Sequence, residues 1–317
     1  MNCKMIFSLL AAVLFFAPCA TAAAGSGDEA AIRSLYTSMD RTLAANDESG
    51  AMEYYNAIVA YGKIAAVLLN DLVTAPPLSQ KTYNAACSAW KAIGDIETGS
   101  IGLRYLLRSP YSDDVVKTKC LHILRAWKDL TIAEDAERLF GDKTRNENLR
   151  VAAADVLRRL EPQKAKAKFM SALDDDSEGM IIHYKAVQYL GDYKDPEVRA
   201  RLKRHMLSGG RGPDLSKERA LLLLDTPDKA GAADDVAEVL ESTATSQALK
   251  ERSINILSSP RMSGVGGRKK LEGFIKKSRY PALKKRAQRA LEAKTQEDPA
   301  QGSPEKNTDE SLRVKTE

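Results

Sequence analysis

A helical phrase recurs through this chain with a nearly constant spacing of about 33 residues. In each copy a polar residue is followed by a small residue three positions later and by apolar residues six and seven positions later. The six clear copies begin at Lys117, Arg150, His183, Lys217, Lys250 and Lys284. A degenerate copy begins at Asn84, where Lys91 replaces the second apolar residue. Because an α-helix turns every ~3.6 residues, the small and apolar positions share one helix face. A fixed period of this length indicates stacked repeats.

Each phrase is followed by a break and a second amphipathic segment. Asp195 is typical of a helix N-cap, Pro196 suits the first helical position, and Glu197 complements the helix dipole. The predicted pairs span residues 79–94 with 96–108, 112–128 with 131–140, 146–160 with 162–173, 178–190 with 195–207, 214–225 with 228–242 and 246–258 with 264–277, before a last helix at 281–294. One pair cannot bury its apolar stripe alone. The sequence therefore predicts an all-α, right-handed α-solenoid of about seven stacked helix pairs.

Three segments carry a resemblance to a known family. Residues 149–157 (LRVAAADVL), 195–199 (DPEVR) and 283–291 (LKKRAQRAL) resemble the HEAT-repeat family, in the short form also found in bacterial phycobilisome-lyase-like proteins. The resemblance covers roughly residues 79 to 294 and implies an armadillo-like helical solenoid. It says little about function, because this fold serves many partners.

The N-terminal segment, residues 1–24, is typical of a secretory signal peptide. A basic residue precedes an apolar stretch at 5–17, and small residues follow, so cleavage is expected after Ala22 or Ala24. We therefore expect export to the bacterial periplasm, with secretion or envelope association as alternatives. An uncleaved anchor and lipidation of Cys19 stay open, although the stretch is short for a membrane span and Pro18 suits lipidation poorly. No transmembrane segment is expected in the mature chain.

Two segments flank the repeats. The first contains predicted helices at 28–46 and 51–73, which would form a helical-hairpin cap, because terminal repeats are usually atypical. Its Tyr54, Tyr55 and Tyr61 belong either to the core or to an aromatic binding surface. The final segment has almost no bulky apolar residues and is expected to be disordered. The predicted domains are a signal peptide at 1–24, the cap at 25–78, the repeat solenoid at 79–294 and the tail at 295–317.

Four cysteines are present, two of which, Cys3 and Cys19, lie in the predicted signal peptide. The other two, Cys87 and Cys120, occupy the small position of consecutive copies. Neighbouring helices pack ~8–10 Å apart, whereas a disulfide needs Cα atoms within ~7 Å. This spacing favours two buried thiols that replace alanine. A redox pair is the alternative, because paired cysteines in an exported protein normally suggest a disulfide.

No catalytic constellation or cofactor motif is visible, so a protein that is not an enzyme is expected. None of the three histidines has metal-ligand spacing with a cysteine or carboxylate. His183 is interpreted as one member of the polar ladder formed by the first positions of the copies. Residues 174–176 (DDD) are interpreted as a solvated turn rather than a cation site. Residues 263–270 (SGVGGRKK) form either a flexible turn or a cradle for a phosphate or carboxylate.

Positive charge is concentrated between residues 261 and 294, where twelve cations accompany two anions, against a formal charge of +5 for the whole chain. This segment is either a solvated cap that closes the solenoid or a contact surface for an anionic partner. Nucleic acid is not expected as a partner outside the cytoplasm. The candidate contact residues are Arg268, Lys269, Lys270, Lys276, Lys277, Arg279, Lys284, Lys285, Arg286 and Arg289.

These patterns predict an exported binding or scaffold protein that mediates protein–protein interaction in the cell envelope. One alternative is a peripheral protein that binds anionic lipid or polymer through its basic end. Another, implied by the family resemblance, is a lyase-like or chaperone-like protein.

Overall fold

The computed structural model describes residues 26–75, 78–193, 195–208, 214–224 and 231–295. Over these ranges the chain forms 17 α-helices and one short 3₁₀ helix, without a β-strand. Two compact units divide the chain, Met1–Ala165 and Lys166–Glu317. The predicted signal peptide, with Cys3 and Cys19, lies outside the described residues, as does the predicted tail beyond Thr295. The predicted domain boundaries stay predictions.

The described part of the first unit contains eight complete α-helices and one 3₁₀ helix, and the division between the units falls within a further α-helix. The bounds are α1 (Ser26–Ala44), α2 (Glu48–Ala60), α3 (Lys63–Val73), α4 (Gln80–Ile93), α5 (Ile96–Arg108), α6 (Asp114–Ala126), the 3₁₀ helix Leu130–Ile132, α7 (Ala133–Gly141), α8 (Glu147–Leu160) and α9 (Pro162–Leu173). The first helices of its repeats, α4, α6 and α8, pack side by side in sequence order. Among the second helices, α5 packs against α3 of the cap segment.

The second unit repeats this arrangement. Its helices are α10 (Met180–Leu190), α11 (Pro196–Leu207), α12 (Asp214–Leu224), α13 (Ala232–Glu241), α14 (Gln247–Leu257), α15 (Pro260–Ser263), α16 (Gly267–Lys277) and α17 (Pro281–Thr295). One layer consists of the first helices α10, α12, α14 and α17, and the other of the second helices α11, α13 and α16. Both units therefore confirm the predicted fold class, an all-α solenoid of stacked helix pairs. The handedness of the stack stays a prediction.

Helix N-caps recur with the repeat. Ser79, Asp113 and Asn146 precede α4, α6 and α8, and each side chain accepts a hydrogen bond from the backbone amide three residues later, at 3.1, 2.8 and 3.1 Å. Asp195 caps α11 in the same way at 2.8 Å, and Pro196 follows at the first helical position as predicted. Each cap satisfies an amide that would otherwise lack an intrahelical partner, which fixes where the helix begins.

The small position of the phrase lies at the contact between successive first helices. Its occupants are at most 2% exposed in every copy. They are Cys87, Cys120, Ala153, Ala186, Ala220, Ser253 and Ala287. Short side chains here let neighbouring helices approach closely, as the sequence predicts.

The polar first position of the phrase is also buried in five of the six clear copies, which the sequence did not reveal. The Arg150 Nε atom donates to the Phe140 carbonyl at 2.8 Å, and the Lys217 ammonium donates to the Ser208 carbonyl at 2.8 Å. Both carbonyls lie at the C-terminal end of the preceding second helix. A cation there satisfies a carbonyl and complements the helix dipole. The ladder therefore joins one repeat to the next rather than facing solvent.

The predicted second helix of the cap is interrupted. The sequence predicted one helix over 51–73, whereas α2 ends at Ala60 and α3 begins at Lys63. Gly62 has a φ of +57°, outside the right-handed helical region and readily accessible only to glycine. The cap therefore contains three helices.

The two cysteines of the repeats are free thiols and fully buried. Their burial is as predicted, but the distance argument against a disulfide is wrong, because the Sγ atoms of Cys87 and Cys120 are only 3.6 Å apart. The spacing of helix axes overstates the separation at a contact position, since each Cα projects ~2.3 Å from its own axis towards the neighbour.

Candidate anion-binding surface

The predicted basic surface lies on α16 and α17 of the second unit. Leu271 and Phe274 turn one face of α16 into the core, and Leu283 and Ala287 do the same for α17. The remaining faces carry the cations. Of the ten predicted contact residues, nine are exposed and Lys284 is half-buried. We call these ten residues the basic surface.

The structure divides the basic surface between the two helix layers. Five of its residues lie on α16, in the layer of second helices, and four lie on α17, in the layer of first helices. Arg279 lies in the short turn between them. The sequence treated the ten residues as one group, because a count of charges along the chain cannot assign them to layers.

Three cations of the basic surface have acidic partners. Arg268 pairs with Glu272 at 3.3 Å, Arg286 pairs with Glu251 at 2.8 Å, and Lys270 pairs with Asp234. The other seven make no ion pair with any residue in the described part of the chain. These unpaired cations are Lys269, Lys276, Lys277, Arg279, Lys284, Lys285 and Arg289.

A cleft of about 290 Å³ adjoins the basic surface between α14 and α17. Its lining includes Glu251, Leu283, Lys285, Arg286 and Arg289. The pair between Arg286 and Glu251 joins its two sides, whereas Lys285 and Arg289 keep their charge uncompensated. The cleft can therefore accept an anionic side chain or head group.

The glycine-rich turn before α16 has a packing role. Gly266 is the N-cap of α16, with a φ of +89°. A Cβ atom on Gly267 would lie 2.5 Å from the backbone oxygen of Leu257, the last residue of α14. A larger residue at 267 would therefore separate α16 from α14. These contacts give Gly267 a packing role, and the alternative of an anion cradle stays a prediction.

The first unit has a group of exposed apolar side chains that the sequence analysis did not predict. Four large apolar side chains, on α3, in the middle of α5 and on the 3₁₀ helix, are exposed: Val67 by 47%, Ile101 by 53%, Tyr105 by 38% and Leu130 by 70%. Ile101 and Tyr105 lie one turn apart on α5. Arg104, from the same helix, hydrogen-bonds Thr131 at 2.8 Å, which brings Leu130 close to α5. We call these four residues the apolar face. Its only signal in the sequence is apolar residues outside the repeat phrase.

A buried histidine pair lies in the second unit. The ring centroids of His183 and His205 are 5.9 Å apart, and the His205 Nε2 atom lies 3.0 Å from the Ser216 hydroxyl. Burial, with smaller contributions from His183 and Lys217, lowers the pKa of His205 to about 4. The sequence reading assigned His183 to the ladder but did not anticipate His205 as its neighbour.

Neither a metal cluster nor a membrane span is found within the described ranges. No three histidine, cysteine or acidic side chains there are grouped so as to hold a metal ion. No helix there is both long and apolar enough to cross a membrane.

Comparison with known proteins gives similarity to solved structures only. No protein-family model matches this chain, and no curated protein matches it. A solved structure of human deoxyhypusine hydroxylase in complex with glycerol is similar over 84% of this chain and 97% of that chain, with 12% sequence identity and a TM-score of 0.33.

This similarity corrects one prediction. The sequence reading expected a protein that is not an enzyme, yet the similar chain is an enzyme, deoxyhypusine hydroxylase. The expectation rested on finding no catalytic motif, and it was wrong to exclude enzymes on that ground. At this identity and TM-score, the similarity assigns no activity to the present chain.

Proposed function

We propose that this chain is an exported binding and scaffold protein of HEAT-repeat type, which holds an acidic protein partner on its basic surface in the periplasm. The observation that carries the proposal is the set of seven unpaired cations on and between two adjoining helices. Export rests on the signal-peptide pattern of residues 1–24.

The charge distribution supports an anionic partner. Like charges held on neighbouring turns repel one another, and a complementary surface relieves that repulsion. Charged contacts of this kind accelerate association and exclude wrong partners more than they add affinity. The cleft beside Lys285 and Arg289 would receive an acidic side chain of the partner.

Neutralisation of the unpaired cations tests this proposal. The designed variant replaces Lys269, Lys276, Lys277, Arg279, Lys285 and Arg289 with Gln. It leaves the three ion pairs of the basic surface intact, and exposed substitutions of this kind change stability by about 0.5 kcal/mol or less each. We expect capture of the acidic partner from a cell-envelope extract to weaken by about tenfold or more and to lose its salt dependence.

The control variant removes the same charge from dispersed positions. It replaces Arg41, Lys91, Lys128, Arg159, Arg204 and Arg252 with Gln, all exposed and without a described ion-pair partner. Binding should survive in this control. If both variants bind like the wild type, with the same salt response, the basic surface is only a solvated cap.

Vesicles separate the two kinds of anionic partner. The alternative function is peripheral attachment to anionic lipid or polymer, which needs charge alone and no complementary protein shape. Binding to phosphatidylglycerol vesicles that the six-residue basic-surface variant abolishes, without capture of a protein, would favour this alternative.

The apolar face supports a second candidate contact surface for a protein partner. Exposed apolar side chains grouped on a folded surface commonly mark an interaction site. In this case Ile101→Ser with Leu130→Ser should abolish capture, whereas the basic-surface variant should retain it.

A further inference from the structure

Two thiols meet at one interface between repeats. Cys87 on α4 and Cys120 on α6 occupy equivalent positions of consecutive copies, and these helices pack together. Their Sγ atoms are 3.6 Å apart and both residues are 0% exposed. The later clear copies have alanine or serine at this position. Packing alone is therefore satisfied by smaller side chains without sulfur.

The geometry is close to that of a disulfide. An S–S bond is ~2.05 Å long, so the two sulfurs need to approach by roughly 1.5 Å. Side-chain rotation and a small shift of one helix supply such a movement, since the two side chains already point at each other.

We propose that Cys87 and Cys120 form an inter-repeat disulfide when the chain folds in an oxidising compartment. The oxidant is a disulfide donor of the thiol–disulfide exchange class. The thiolate of one cysteine attacks a donor sulfur and releases one donor thiol, which gives a mixed disulfide. The second cysteine thiolate then attacks the first cysteine sulfur and releases the other donor thiol. Overall, two cysteine thiols become one disulfide, and one donor disulfide becomes two thiols.

Burial sets the time at which this exchange takes place. A donor cannot reach either sulfur in the folded chain, and burial raises the pKa of the Cys120 thiol, which disfavours the reactive thiolate. Exchange therefore precedes the closure of α4 against α6. The same burial then shields the finished bond from reductants.

The bond would join the first two repeats of the first unit. Lys119, next to Cys120, already ties α6 to α4, because its ammonium donates to the Asn84 carbonyl at 2.8 Å and to the Ser88 hydroxyl at 2.6 Å. A disulfide at the same contact would limit the separation of the two helices in the unfolded chain, which is the main way such bonds stabilise a fold.

Refolding in a glutathione redox buffer tests the proposal. The full chain is unfolded with reductant, refolded with reduced and oxidised glutathione, and mapped by differential alkylation and mass spectrometry. We expect a Cys87–Cys120 linkage in most molecules and a thermal midpoint several degrees above that of the reduced protein. Addition of oxidised glutathione after folding should form the bond much more slowly.

Single alanine variants provide the control. Cys87→Ala and Cys120→Ala place alanine where Ala153 and Ala186 stand in later repeats, so both variants are expected to fold. Each should retain one free thiol and show no midpoint shift with oxidised glutathione. The proposal is overturned if both thiols of the wild type stay free after oxidative refolding, or if the linked form unfolds at a lower temperature than the reduced form.

Discussion

Buried polar side chains connect neighbouring helices of this fold. Arg150 and Lys217 leave solvent but place their charge on carbonyls at helix ends, so the loss of hydration is offset by hydrogen bonds. The ammonium of Lys250, at the same repeat position, lies 4.5 Å from the centroid of the Tyr280 ring. Such contacts explain why the first position of the phrase is basic in most copies although it is buried.

The histidine pair makes the second unit sensitive to acid. The pKa of His205 is lowered from 6.5 to about 4 by burial, His183 and Lys217, and this outweighs the opposite effect of Asp174 and Asp176. Between pH 6.5 and 4 the unfolded chain binds more protons at this site than the folded chain. The stability that this group contributes is therefore fully present above pH 6.5 and is lost as the pH decreases towards 4.

A glutamine variant measures this contribution. Acidification from pH 7.5 to 4.5 should cost the wild type about 2 to 3 kcal/mol more than His205→Gln, because glutamine does not titrate. Urea unfolding followed by circular dichroism at the two pH values gives the comparison. Equal losses in both proteins would mean that His205 does not govern the acid response.

Helix bounds were the part of the structure that the sequence predicted best. The predicted helix at 96–108 and the observed α5 coincide, and most other ends agree within a few residues, because caps and apolar spacing are local signals. The break at Gly62 was missed because residues 51–73 keep an apolar stripe on both sides of it. The contacts of the basic surface were also out of reach, since ion pairs depend on which helices become neighbours.

Close packing of α5 depends on glycine. A Cβ atom on Gly102 would overlap the buried Trp90 indole, whose Nε1 atom donates to the Ala66 carbonyl at 3.1 Å. Gly102→Ala should therefore destabilise the first unit by about 1 to 3 kcal/mol through overpacking. Tryptophan fluorescence during urea unfolding reports this unit, because both tryptophans of the chain, Trp90 and Trp127, lie in it.

The matched control is a helical glycine in open space. Gly141 ends α7 in the same unit, and an added Cβ there meets no atom within 4 Å. Gly141→Ala should leave stability unchanged or raise it by up to about 1 kcal/mol. If Gly102→Ala is as well tolerated as Gly141→Ala, then α5 and α4 are not held at the distance described.

For the whole molecule, the repeat period in the sequence predicts the fold, and the charge distribution supports the proposed function. The repeat is visible without a structure, because every copy must bury the same face. The residues that would bind a partner do not recur with the repeat, so the sequence gives no comparable signal for them. The sequence located the cations, but only the structure distinguishes paired cations from unpaired ones. It also shows the apolar face, which is a second candidate binding surface.

Amine footprinting of the partner complex tests the proposed binding surface most directly. The chain is acetylated at limiting reagent, alone and with the captured partner, and each lysine is quantified by mass spectrometry. The proposal predicts protection of Lys269, Lys276, Lys277 and Lys285, with Lys91 unchanged. Full reactivity of these four lysines in the complex, with protection instead at Lys63 beside the apolar face, would contradict it.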